Sequence, residues 1–350
     1  MNFASDNWAG AAAPIARMLA EQSGNFVPAY GEAEIDRQVS QRFCELFERD
    51  VAVLTVPTGT AANSLALALA MKPGGIALAH AESHIIADEC GAAEFMMGGG
   101  GRVQAIGGAD GKIAAEALAG HLKRFDPPFL HHGRAVALSL TQATEAGTVY
   151  TTGEIAALAA QARLLGLAVH MDGARFANAL AHLSVSAADM TWRAGVDMLS
   201  FGATKNGCWC AEALILFDPA LREAAEYLRK RSGHLFSKAR FVSLQLAAYL
   251  DGGLWLDLAR HANAMADRLR DGVSASDKAR LAWKSQANEV FIIIDRPTEG
   301  RLRTAGAMFY DWHRPHWLSA APADDEIICR LVTSFATTPQ EVDRFVELIG

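Results

Sequence analysis

Residues 168–180 read AVHMDGARFANAL and residues 196–218 read VDMLSFGATKNGCWCAEALILFD. Each stretch begins with a short apolar run, Leu167–Met171 and Val196–Ser200. Both runs have the length and bounding of strands buried on two faces, as in a parallel sheet. Each delivers polar groups just past its carboxyl end: Asp172 and Arg175 after the first, Thr204 and Lys205 after the second. Ligands of open α/β sheets bind at that edge. A lysine, an acid and an arginine sharing it suggest a carbonyl cofactor, with the lysine as Schiff-base amine and the acid on the ring nitrogen.

Working outward, the same alternation of strand and helix recurs from residue 51 to about 218. A helix fits Ala33–Glu48, with Ile35, Val39, Phe43, Leu46 and Phe47 on one face, and a strand follows at Val51–Val56. PTGTAANSLALALAM (57–71) then turns directly into an apolar helix. Gly59 would let backbone approach an anion there and Thr60 adds a hydroxyl, at a helix start whose amides favour negative charge. The alternative is a plain helix start capped by Thr58 or Thr60. Ile76–His80 is the next strand, with His84 and Glu89 just beyond it. The glycines at 98–101 read as a turn, Arg102–Ile106 and Arg134–Leu140 as strands, and Ile113–Phe125 and Ile155–Leu165 as helices. This is the signature of an α/β fold with a mainly parallel sheet.

The ends of the chain read differently. Residues 1–30 carry few periodic signals and are expected to be an irregular lead-in. Beyond Asp218 come a helix-rich stretch, a glycine turn at 252–253 where a long helix can begin, strands in WKSQANEVFIIID and DEIICRLVTSF, and a closing helix from Pro339. The expected organisation is an N-terminal arm (1–15), a large domain (16–248) and a smaller α+β domain (249–350). A length of 350 residues supports two domains, since single cores stop growing at roughly 250–300 residues.

Composition excludes several classes. With 51% hydrophobic and 20% charged residues the chain can bury a large core. A net charge of −7 gives no basic footprint for nucleic acid. No apolar run approaches the ~18 residues of a membrane span, and MNFASDNWAG has no signal-peptide pattern, so a cytoplasmic protein is expected. Cys44, Cys90, Cys208, Cys210 and Cys329 are scattered and mostly lie in apolar segments, as expected of reduced, buried thiols. Cys208-Trp-Cys210 lacks zinc-ligand spacing, and no metal site is expected.

With these residues in place, the chain resembles the threonine aldolase family of fold-type-I pyridoxal-phosphate enzymes. Ser5-Asp6, PTGTAAN (57–63), the histidine and glutamate of HIIADECG (84–91), MDGARFANAL (171–180), Lys205 and RLVTSF (330–335) match in order and spacing. The resemblance implies pyridoxal 5'-phosphate as cofactor and cleavage of L-threonine, L-allo-threonine or a related L-β-hydroxy-α-amino acid such as phenylserine to glycine and an aldehyde. It assigns Lys205 as Schiff-base lysine, Asp172 to the ring nitrogen, Gly59 and Thr60 to the phosphate, and Thr204 to the phosphate or the lysine turn. Arg175, Arg330 and Ser5 would hold the substrate carboxylate, with Arg175 also among the residues binding the cofactor. His84 would stack on the ring, and it or a water it holds would take the β-hydroxyl proton.

Two departures stand out. Where many members carry a second histidine, this chain has Thr141-Gln142 and Thr144-Glu145. Where the family has an arginine reaching phosphate, this chain offers Arg231, Lys238 or Arg240, with Lys238 nearest in register. Such sites are shared across subunits, which implies a homodimer or homotetramer. The other readings are a β-eliminating lyase or racemase on the same cofactor, and a cofactor-binding module without catalysis.

Overall fold

Short apolar runs become central strands where both faces are covered, and the larger sheet is built from seven of them. In the computed structural model, which describes residues 1–98 and 100–350, these are β1 (Ala52–Val56), β2 (Gly75–His80), β3 (Arg102–Ile106), β4 (Arg134–Thr141), β5 (Ala168–Gly173), β6 (Met198–Gly202) and β7 (Glu212–Leu216). Their order is β1-β7-β6-β5-β4-β2-β3. The pairs from β3 to β6 are parallel, and β7 alone runs against its neighbours. The link between β6 and β7, residues 203–211, is too short for a crossover, so β7 must return antiparallel. The turn read at 98–101 includes Gly99, which lies outside the described residues.

Four more strands, β8 (Ala279–Leu281), β9 (Glu289–Asp295), β10 (Tyr310–Trp312) and β11 (Glu326–Val332), form a second, antiparallel sheet in the order β10-β11-β9-β8. Helix Leu254–Ser274 starts after Gly253, whose φ of +79° suits glycine, and carries apolar side chains into the cores of both sheets. The lead-in is more ordered than its sequence suggests. Helix Ala13–Gln22 starts with Pro at its first turn, and only Ile15 on it is fully buried, so no apolar stripe marks it. Phe3 packs at 5.1 Å on Phe345 of the closing helix Pro339–Ile349. Cys90, read as a buried thiol, is exposed because it sits in a turn with φ of 53°; all five cysteines are free.

Two glycines let the ends of β5 and β6 meet. A β-carbon on Gly202 would stand 2.6 Å from the Ala174 carbonyl oxygen and 2.7 Å from its Cα, and one on Gly173 would stand 2.7 Å from the Ser200 carbonyl. These are backbone contacts that cannot swing aside. Gly202→Ala is therefore expected to cost about 1–3 kcal/mol, measured as a lowered denaturation midpoint. It should also disturb the positions of Asp172 and Lys205 relative to each other.

Candidate active site

Asp172 is the next-to-last residue of β5, followed by a turn that carries Arg175 into helix Phe176–Leu183. β6 ends at Gly202, and Lys205 lies in the single turn Thr204–Asn206. That turn is anchored from below: Asn206 Nδ2 donates to Tyr249 Oη (2.6 Å) and to the Trp255 carbonyl (2.8 Å), and Thr204 Oγ1 accepts from Ala211 N (3.1 Å). Asp172, Arg175, Thr204 and Lys205, together with the start of helix Gly59–Ala70, line a cleft of about 260 Å³. Lys205 is half-buried there, and its amine has no hydrogen-bond or ion-pair partner among the described residues.

The acid opposite is tightly held. Asp172 Oδ1 accepts from Ala174 N (3.0 Å) and Oδ2 from Asn63 Nδ2 (2.8 Å). Asn63 Nδ2 also donates to Glu89 Oε1 (2.8 Å), which lies 2.9 Å from His84 Nδ1. That bond to Glu89 is the main reason the His84 pKa rises above its ordinary value, against the burial that would lower it. Two residues before Asp172 on the same strand face, His170 bridges Ser139 and Ser200 at 2.9 Å each. Burial drives its pKa to about 4, so it is neutral beside Asp172.

Arg175 is embedded in carboxylates. Its Nε and Nη2 donate to the two oxygens of Asp6 (2.7 and 3.0 Å), and Nη1 donates to Glu289 Oε2 (3.0 Å). Burial opposes its charge, but Asp6 and Glu289 outweigh that and raise its pKa above the usual value. Burial acts on Asp6 too, and the arginine reverses it, holding that carboxyl below its ordinary range. Two further carboxyls line the cleft: Glu212, where burial lifts the pKa to about 7, and Glu145, where burial and then Asp172 lift it to about 8.

The donor set fits a phosphorylated aldehyde bound against a ring acid. Thr58 Oγ1 caps helix Gly59–Ala70 by accepting from Ala61 N (3.1 Å). The amides of Gly59 and Thr60 keep no acceptor among the described residues, and both residues line the cleft, which is open beside Gly59 because a β-carbon there would meet nothing within 4 Å. Asn63 Oδ1 is buried without a partner.

Residues 2–296 match the beta-eliminating lyase family. The chain belongs to that family. The chain resembles threonine aldolases. A low specificity L-threonine aldolase of Pseudomonas aeruginosa is 39% identical over 88% of each chain, and one of Pseudomonas sp. strain NCIMB 10558 is 37% identical over 88% of each. The solved threonine aldolase of Leishmania major superposes with a TM-score of 0.91 at 30% identity, covering 99% of this chain and 98% of that one. The fold is that of the fold-type-I pyridoxal-phosphate enzymes.

Against this family background, the expected residues divide in two. Gly59, Thr60, His84, Asp172, Arg175, Thr204 and Lys205 share the cleft. Ser5, Arg330 and Lys238 stand outside its lining. Ser5 Oγ accepts from Asn7 N (3.1 Å), and it is Asn7 that faces the cleft. Arg330 lies 3.8 Å from Glu289 and 4.6 Å from the Trp312 ring centroid, with Nε buried and unpartnered. Lys238 is exposed. Sequence reasoning gave no role to Asn63, Asp6, Glu212 or Glu289. A polar residue inside an apolar helix (Asn63) and acids opening apolar strands (Glu212, Glu289) were the available signals.

No helix among the described residues is long and apolar enough to cross a membrane.

Proposed function

We propose that this member of the family is a pyridoxal-phosphate-dependent carbon–carbon lyase of threonine aldolase type, cleaving L-β-hydroxy-α-amino acids to glycine and an aldehyde. The observation that carries the reading is the unpartnered Lys205 amine in one cleft with the buried Asp172 carboxylate and the free amides of Gly59 and Thr60. When bound, the cofactor supplies an aldehyde that condenses with amines and a ring that takes up the electron pair released from the substrate α-carbon.

The chain's residues do the rest. Lys205 offers the primary amine and later the proton that α-carbon requires. Asp172, fixed by Asn63 and Ala174, holds a proton on the ring nitrogen by opposite-charge attraction. His84, braced by Glu89, covers the ring face. Arg175 is occupied by Asp6 and Glu289, so carboxylate grip falls mainly to Arg330, whose buried Nε is unspent; each charged hydrogen bond contributes about 1.5–3 kcal/mol. A grip on the carboxylate fixes rotation about N–Cα and aligns the Cα–Cβ bond for cleavage.

The working form is a homo-oligomer, a dimer or tetramer. Phe26 is fully exposed and Val27 and Tyr30 half-exposed, and Tyr30 N donates to the Ser237 carbonyl (2.8 Å). A second copy covering this face would receive Lys238 toward its phosphate site.

The test is a substrate panel with purified, cofactor-loaded protein: threonine, allo-threonine and phenylserine in both enantiomers. Glycine release confined to the L-forms is expected. Ammonia and a keto acid in place of glycine would move the assignment to β-elimination.

A further inference from the structure

The loop that replaces the family's second histidine is rigid, and its parts have separate tasks. Gln142 is fully buried; its Nε2 donates to the Tyr150 carbonyl (2.8 Å) and its Oε1 accepts from Tyr150 N (2.9 Å). Thr144, also fully buried, pairs with Thr148 through both backbone (2.9 Å) and hydroxyls (2.7 Å). The loop is pinned from outside by Trp283 Nε1 on the Ala146 carbonyl (2.9 Å) and Gln286 Oε1 on Val149 N (2.8 Å). Gln142 and Thr144 are spent on this frame. Glu145 is the one acid of the loop, and it lines the cleft.

Glu145 Oε1 accepts from His84 N (2.6 Å), while Oε2 has no partner among the described residues. One oxygen thus fixes the carboxyl beside the histidine expected on the ring, and the other keeps its acceptor capacity. His84 Nδ1 is already engaged by Glu89 Oε1 (2.9 Å). We propose that the Glu145 carboxyl is the general base that takes the β-hydroxyl proton during Cα–Cβ cleavage, a role that rests on the aldolase reading above. The O–H bond breaks with its proton passing to Glu145, and the oxygen's electron pair forms the aldehyde C=O. The Cα–Cβ electron pair is left on the α-carbon, which gains a proton to become that of glycine. In the reverse direction the protonated carboxyl returns the proton to the aldehyde oxygen.

The surroundings set the pH at which this base works. Asp172 from β5 and Glu289 from β9 face it with negative charge, Arg175 with positive charge, and His84 and Tyr150 flank it. The outcome is a carboxyl that releases its proton only as pH rises through about 8. The base form grows with pH, so kcat/KM for cleavage should rise through that range.

Glu145→Gln separates the tasks, since the amide oxygen still accepts from His84 N and only the base is lost. In the cofactor-loaded enzyme it should lower kcat/KM for L-threonine roughly 10²–10⁴-fold and remove the limb near pH 8. Exchange of the glycine α-proton with solvent deuterium involves no β-hydroxyl, and should fall far less than cleavage. Glu145→Asp, which keeps a carboxyl one methylene short, should recover part of the loss. Infrared difference titration of the wild-type protein should show a carboxyl ionising near pH 8 that is missing from Glu145→Gln. Wild-type cleavage with which Glu145→Gln keeps pace at every pH overturns the role alone. So does a variant that loses glycine exchange as fully as cleavage, because that marks a structural part. A wild-type protein that releases glycine from none of the three substrates overturns the aldolase reading and the role with it.

Discussion

Lys205→Ala is expected to lower glycine release from L-threonine by roughly 10⁴–10⁶-fold, the span found when one member of a cooperating catalytic unit is removed. It should also abolish the pH-dependent colour of the bound cofactor. The loss should be chemical rather than structural. The lysine amine holds nothing in place, whereas the turn carrying it is fixed by Asn206 on Tyr249 and Trp255 and by Thr204 on Ala211, none of which the substitution touches. The far-UV spectrum and unfolding midpoint should therefore stay close to wild type. A second effect follows from charge. Lys205 lowers the pKa of both Glu212 and His84, so removing it should let both rise further. A Lys205→Ala protein that keeps wild-type turnover and cofactor colour would mean that the amine comes from elsewhere and that the assignment of this cleft is wrong.

Much of this site could be read from the chain because buried parallel strands write themselves as unbroken apolar runs. The runs at 51–56, 76–80, 102–106, 134–140, 167–171 and 196–200 all became strands within two residues of those bounds. Residues just past a strand end need no long-range information to be placed, which is why Gly59, His84, Asp172 and Lys205 met in one cleft. Partners across the fold are another matter. Asn63 reaches Asp172 over 109 residues and Arg175 reaches Asp6 over 169, separations that no local spacing encodes. Ser5 and Asp6 were read as a pair, yet it is Asp6 that faces the arginine while Ser5 caps a turn. Strands β8 and β10, three residues each, are too short to show alternation. Helix Arg296–Thr304 buries only Thr298 and Leu302, so its apolar face is equally faint. At the loop 141–145, sequence located the departure, but only the packing of Gln142 and Thr144 separates the frame from the acid it presents.

Arg175→Leu is expected to destabilise the fold by about 3–5 kcal/mol, the cost of leaving buried charges without their partner. Asp6 and Glu289 are both almost completely buried. After the substitution Asp6 keeps only Asn288 Nδ2 (3.1 Å), and Glu289 keeps Arg330 at 3.8 Å. The pH dependence identifies the cause. In the wild type Arg175 holds the Asp6 pKa below its ordinary value, so this contribution is present at neutral pH and lost as pH falls through the folded-state pKa. Without the arginine, burial moves the same carboxyl upward. The gap between wild type and variant should therefore be widest near neutrality and should narrow in acid, where Asp6 is protonated in both. Adding Asp6→Asn to Arg175→Leu removes one stranded charge and should restore part of the stability, a non-additivity that two independent sites would not produce. Denaturant midpoints of the wild type, Arg175→Leu, Asp6→Asn and the double variant at neutral and acidic pH measure this. An Arg175→Leu protein within about 0.5 kcal/mol of wild type at neutral pH, the range of an ordinary surface change, would show that the Asp6–Arg175–Glu289 cluster is not what ties the N-terminal segment to the two sheets.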